Sequence, residues 1–143
     1  MSIEVTYCNQ SDKKFLPVKK MIDAIKNIAN QKLENVGGSI NLVVCDDTFI
    51  HALNKQYLAH DYPTDVITFV LDEKPLDAEI YISYETATVQ AKDYRVSLAQ
   101  EMCRLAVHGA LHIAGHDDDN DEKRHEMHKL ENHYLKLTGF TNV

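Results

Sequence analysis

The sequence predicts an α+β fold: one domain over residues 1–143, about four strands in a mixed or mostly antiparallel sheet covered by helices, with a metal site at the end of one helix. Three observations lead there. Short alternating strand runs interleave with helical stretches up to residue 83, and 3.6-residue apolar periodicity dominates after it. No composition shift, repeat or linker divides the 143 residues, a length that can bury one hydrophobic core. The most chemically loaded stretch, His108 to Asp118, falls at the close of a predicted helix.

Each element follows from local pattern. Ile3-Glu4-Val5-Thr6-Tyr7 alternates and reads as a strand. Residues 15–35 read as an amphipathic helix, with Val18, Ile22, Ile25 and Ala29 on one face and lysines opposite, ended by Gly37-Gly38. Residues 39–45 alternate again, placing Ile40, Leu42 and Val44 on one side. Asp46-Asp47-Thr48 supplies helix-start chemistry for a short helix over 49–58. Residues 66–71 and 79–83 are strands, and 72–77 between them reads as an exposed hairpin connection. A helix over 85–94 follows. Ser97 caps another that runs to Ala114, with Leu98, Met102, Leu105, Gly109 and Ile113 as its core stripe. The last helix spans 122–137, with Met127, Leu130, Tyr134 and Leu137 inward.

Composition bounds the function. Net charge is −7 with histidines neutral, which excludes a general nucleic-acid binder held by bulk charge. No apolar run is long enough to cross a membrane, and Met1-Ser2-Ile3-Glu4 shows no signal-peptide pattern. Cys8, Cys45 and Cys103 are odd in number and far apart, which suits a reducing cytoplasm better than a disulfide framework.

The stretch His108-Gly109-Ala110-Leu111-His112-Ile113-Ala114-Gly115-His116-Asp117-Asp118 carries the chemistry. Histidines four apart on a helix stack on one face, one turn apart, and two such imidazoles grip a cation such as zinc. Gly115 can take φ > 0 and turn the chain back. In the zinc-peptidase pattern H-E-x-x-H-x-x-G-x-x-H the third ligand lies three residues past the glycine, which here is Asp118. His116 is the alternative third donor. The glutamate that serves a peptidase as general base is replaced by Gly109, which speaks against peptidase chemistry. Asp65 reads either as a partner to the metal ligands or as a strand-entry cap. Glu101, two turns before His108, reads either as a residue orienting a ligand or as a surface ion pair. His125, His128 and His133 do not share a face and read as solvated, with His125 the one that can approach the metal; His51 reads as a surface residue.

The H-G-x-L-H-x-x-G core at His108 to Gly115 resembles the YbeY family of bacterial endoribonucleases, or rRNA maturation factors. Residues 53–69, from Leu53-Asn54 through Pro63-Thr64-Asp65-Val66 to Phe69, look like the family's L-N-x-x-Y-R-x-x-D-x-P-T-D-V-L-S-F, and Ala78-Glu79-Ile80-Tyr81-Ile82-Ser83 is similar to its G-D-I-x-I-S strand. The resemblance implies one zinc per chain held through H-x3-H-x5-H and no small organic cofactor. It also implies single-strand-specific RNA cleavage in 16S rRNA maturation and ribosome quality control, with rRNA and the small ribosomal subunit as partners. Three positions depart from the pattern. The third metal histidine falls at Asp118, giving the expected ligand set His108, His112 and Asp118. The arginine after N-x-x-Y, a natural phosphate contact, is Leu58, for which His60 or Lys55 are the nearby substitutes. Glu79 stands for the strand's Asp. No general acid or base is identified. The rival reading is a ribosome-assembly factor with a structural metal, which would normally be closed by four protein ligands.

Overall fold

The computed structural model describes residues 2–143. β1 (Ile3–Asn9), α1 (Val18–Lys32) and β2 (Gly38–Cys45) come first, then α2 (Asp47–Leu58) and the hairpin β3 (Val66–Glu73) and β4 (Leu76–Ser83). Three helices close the chain: α3 (Tyr84–Tyr94), α4 (Leu98–Ile113) and α5 (Asp121–Leu137). The strands form one sheet in the order β1-β2-β4-β3. β1 and β2 pair parallel, as do β2 and β4, while β3 runs antiparallel to β4. The sheet is mixed; it is not mostly antiparallel. Parallel neighbours need crossovers, and the chain supplies them: α1 links β1 to β2, and α2 with β3 lies between β2 and β4.

Several boundaries differ from the sequence expectation for identifiable reasons. α1 starts at Val18 because Pro17, lacking an N–H, occupies the entry position. Phe15 lies outside the helix, 98 % exposed at φ +61°. Ile25 and Ala29 are buried, but Val18 and Ile22 sit at the margin, and Met21, Ala24 and Ile28 complete the face. The hairpin connection shrinks to Lys74-Pro75, since pairing continues through Asp72–Asp77 and Glu73–Leu76 and Leu76 is itself buried. In α5, Met127 and Tyr134 are buried as expected, Leu130 is half-buried, and Leu137 is exposed while Leu135 takes the inward position.

α4 is the central helix. Ser97 Oγ caps it by accepting from the Gln100 N–H at 3.1 Å. It touches α1, α3, α5, β3 and β4. A single apolar stripe therefore understates it: Cys103, Ala106, Val107, Ala110 and Leu111 are buried as well as Met102 and Leu105. Gly109 is where α4 meets the sheet. A Cβ there would lie 2.8 Å from Ile80 Cγ2 and 3.0 Å from Thr68 Cγ2. Close approach requires glycine, and it brings the flanking His108 and His112 down beside the β3–β4 edge.

Candidate metal centre

The end of α4 assembles the site. The Gly115 N–H bonds the His112 carbonyl at 3.0 Å and the His116 N–H reaches back to the Leu111 carbonyl at 3.0 Å, with Gly115 at φ +98°. This closure reverses the chain. It swings Asp118 back over the last turn of its own helix. The Asp118 carbonyl is held by Arg124 Nη1 at 3.3 Å, and Asn120 caps α5 by accepting from the Lys123 N–H at 2.8 Å.

Three side chains then converge. His108 Nε2 and His112 Nε2 are 3.0 Å apart, Asp118 Oδ2 is 3.4 Å from the first, and Asp118 Oδ1 is 3.6 Å from the second. Among the described residues, this is the one group of His, Cys, Asp or Glu donors whose ligand atoms lie within 4.8 Å of one another. A tetrahedral ion with ligands at about 2.0–2.2 Å has donor separations of about 3.4 Å, so the spacing fits. The nitrogens fit too. Two imidazole acceptors facing each other at 3.0 Å repel unless a proton or cation lies between them.

His116 is not in the group. It lies on the far side of Gly115, beside Asp117, Asn120 and Lys123, where burial and the Lys32 charge hold its pKa below the usual range. His125 is exposed and also outside the group, and His133 packs its ring edge on Tyr134 at 5.1 Å. His51 pairs with Asp61 at 2.8 Å on the surface.

The residue that orients His108 is one the sequence pattern did not single out. Glu131, on α5, places Oε2 2.7 Å from His108 Nδ1. This fixes the ring so that the Nε2 lone pair faces the other donors. Arg104 Nη1 binds Glu131 Oε1 at 3.0 Å, and Arg104 Nη2 binds Asn132 Oδ1 at 2.9 Å. Burial draws His108 down, but the hydrogen bond and charge of Glu131, with Asp118 and Asp65, outweigh it and the net shift is upward. Burial and the nearby His108 hold His112 below its ordinary value. For Glu131, burial raises the carboxyl, but His108 and Arg104 together lower it. One signal was available: Glu131 sits four residues after Met127 and three before Tyr134, a carboxylate on an otherwise apolar face.

Glu101 takes neither expected role. It is 2 % exposed, and burial pushes its carboxyl up to about 7, against the opposing charge of Arg104. Asp65 caps the entry to β3 through the Val66 N–H at 2.7 Å, and its other oxygen accepts from Gln90 Nε2 at 3.2 Å.

A cavity of about 270 Å³ opens beside the converged donors, walled by His108, His112, Asn54, Thr64, Thr68 and Leu58. Leu58, 44 % exposed, lines it where the phosphate-binding arginine was expected. His60 lines it as well, stacked on Tyr62 at 5.3 Å, whereas Lys55 does not. Of the N-terminal lysines, Lys19 is tied to Asp23 at 2.8 Å and Lys20 lies over the Phe140 ring at 4.4 Å.

Fold and site define a small α+β protein with a candidate metal centre of two histidines and a carboxylate, set at the end of a sheet-backed helix. The chain belongs to the Endoribonuclease YbeY family, whose model matches residues 6–139. A relative named Endoribonuclease YbeY from Chlorobium chlorochromatii is 35 % identical over 138 residues, covering 96 % of this chain and 86 % of the relative. One of the same name from Amoebophilus asiaticus is 37 % identical over 131 residues, 90 % of this chain and 88 % of the relative. A third, from Rhodopirellula baltica, is 42 % identical over 106 residues, 71 % of this chain but only 55 % of that longer protein. The solution structure of TM1509 from Thermotoga maritima superposes with a TM-score of 0.66 at 25 % identity, covering 95 % of this chain and 88 % of that one. No helix among the described residues is long and apolar enough to cross a membrane.

Proposed function

We propose that residues 1–143 act as a single hydrolase domain, a zinc-dependent endoribonuclease that cuts single-stranded RNA in 16S rRNA maturation and ribosome quality control in the cytoplasm. The observation that carries this reading is the convergence of His108 Nε2, His112 Nε2 and Asp118 within 4.8 Å beside an open polar cavity, in a chain whose relatives are named endoribonucleases. His108 and His112 would hold one zinc through their Nε2 atoms and Asp118 through its carboxylate. When bound, the ion would supply Lewis acidity for activating water and polarising a phosphate ester, with three protein donors leaving it open to substrate.

The residues around the donors set the conditions for that chemistry. Asp118 adds a negative charge that a third histidine would not, which weakens the Lewis acid. Glu131 keeps the His108 proton on Nδ1 and so leaves Nε2 free to donate. Gly109 is pressed against Ile80 and Thr68, so no side chain, and no peptidase-like glutamate, has room there. Thr64, Thr68 and His60 offer polar contacts to an RNA backbone. With net charge −7, binding to naked RNA is expected to be weak and strongly salt-dependent, and the small ribosomal subunit would supply the remaining contacts.

The test is reconstitution. Chelated protein should leave a labelled single-stranded RNA intact, and one equivalent of zinc per chain should restore cutting while an RNA duplex stays whole. Zinc that binds and raises the melting temperature without any cleavage, on naked RNA or on small subunits carrying immature 16S rRNA, would turn the reading to an assembly factor with a structural metal.

A further inference from the structure

A second and larger cavity, about 470 Å³, lies on the opposite side of His108, between α3, α4 and α5. Its volume is in the range of small-molecule sites, about 300–1,000 Å³. It shares His108 with the cavity beside the candidate metal centre, so a ligand in one adjoins a ligand in the other.

The exposed His128 and Tyr94 stand at its rim, and the buried polar groups left uncommitted in its wall are acceptors. Glu101 lines it and is 2 % exposed, and its carboxyl feels the Arg104 charge but takes part in none of the side-chain hydrogen bonds or ion pairs among the described residues. Gln90 spends its Nε2 on Asp65, and its buried Oε1 has no partner among the described residues. Arg104, the cation in the wall, is already bound to Glu131 and Asn132. A phosphate finds uncommitted acceptors and carboxylates here, and is repelled. A planar group carrying adjacent N–H donors is what these atoms lack. Tyr94, 62 % exposed at the end of α3, adds an aromatic face, with Val96 and Leu105 as apolar wall.

Among the nucleobases, guanine presents two adjacent donors on one edge, N1–H and the N2 amino group. Uracil offers one N–H between two acceptors, and adenine and cytosine offer an amino group next to a ring acceptor. We propose that this cavity is a guanine subsite: single-stranded RNA engaged at the neighbouring metal centre turns a guanine into it, Glu101 and Gln90 Oε1 accept from N1–H and the N2 amino group, and Tyr94 covers the ring. A guanine N–H donated to Glu101 stabilises its ionised form, which burial disfavours. The RNA part of this rests on the endoribonuclease reading; the base recognition does not.

The experiment titrates the whole protein with GMP, IMP, AMP, CMP and UMP, following backbone amide shifts by NMR. GMP should bind at least about tenfold more tightly than AMP, CMP or UMP, as a bidentate base contact gives. IMP, lacking the N2 amino group, should fall between. Shifts should centre on Gln90, Tyr94 and Glu101. Glu101→Gln should bring GMP to the level of the other nucleotides, Tyr94→Ala should weaken it, and Lys55→Ala, outside both cavities, should leave it unchanged. Equal responses to all nucleotides, shifts confined to the Leu58 cavity, or a GMP preference that survives Glu101→Gln would overturn the proposal. A GMP preference in a protein that cuts no RNA with zinc bound would overturn the endoribonuclease reading and leave the guanine site standing.

Discussion

The two sides of the His108 ring are built from opposite chemistry. On the Nδ1 side stands a committed array: Glu131, Arg104 and Asn132 satisfy one another at 2.7–3.0 Å, with Glu131 almost fully buried. On the Nε2 side, His112 and Asp118 are half-buried, their donor atoms crowd to 3.0–3.6 Å, and among the described residues no lysine or arginine lines the adjoining cavity. The contrast teaches where rigidity is placed. A metal ligand must be aimed before the ion arrives, so the buried side fixes the ring and the open side keeps its lone pairs uncommitted. Positive charge for a phosphate on the open side would then have to come from an ion held there, since Leu58 offers none.

The comparison breaks most completely if the open side is dismantled. His112→Ala should abolish zinc binding, and the zinc-dependent rise in melting temperature should vanish with it. Asp118→Ala should weaken zinc severely while His116→Ala leaves it alone; calorimetric zinc titration of the three proteins checks this, and the reverse order for Asp118 and His116 would reassign the third ligand. The next largest effect is a gain. Leu58→Arg places a donor in the open cavity, and a transition-state donor is commonly worth ~100- to 1000-fold in rate. Single-turnover cleavage should rise toward that range; no change would mean that the phosphate lies elsewhere.

Acting on the buried side should have a smaller, indirect effect. Glu131→Gln keeps the volume but loses the charge that holds the Nδ1 proton, so zinc affinity should fall about 10- to 100-fold. The same titration reads it, and an unchanged affinity would make Glu131 a packing residue only.

How much of this could be read in advance follows from the range of each interaction. His108, His112 and the Gly115 turn are legible because helix periodicity and capping are local. Asp118 is legible through its offset from that turn. Glu131 is legible only as a carboxylate on the apolar face of α5; its meeting with His108 depends on how α5 crosses α4. Gly109 reads as the absence of a base; its positive reason, the approach to Ile80 and Thr68, needs the sheet. Strand order was illegible for the same reason, and the parallel β2–β4 pairing emerges only when the β3 hairpin folds to the edge.

The smallest expected effect concerns Glu101. Its carboxyl, ordinarily near 4.5, titrates at about 7 in the folded protein, chiefly through burial. The folded state therefore keeps its proton to higher pH than the unfolded chain. Stability should fall as pH rises from about 4.5 to about 7 and stay lowered above that. Glu101→Gln removes the penalty, so it should stabilise by on the order of 3 kcal/mol at pH 8 and by almost nothing at pH 4. Urea unfolding across that span measures it, and an equal effect at both ends would show that the burial penalty is not the cause.

The most direct measurement is single-turnover cleavage of a single-stranded RNA by wild-type and His112→Ala proteins, with zinc content determined on the same samples. The open side of His108, acting as a metal centre, predicts cutting that scales with bound zinc in the wild type and falls to background in the zinc-free variant. Equal cutting by zinc-free His112→Ala would contradict it and assign the cleavage to chemistry outside this site.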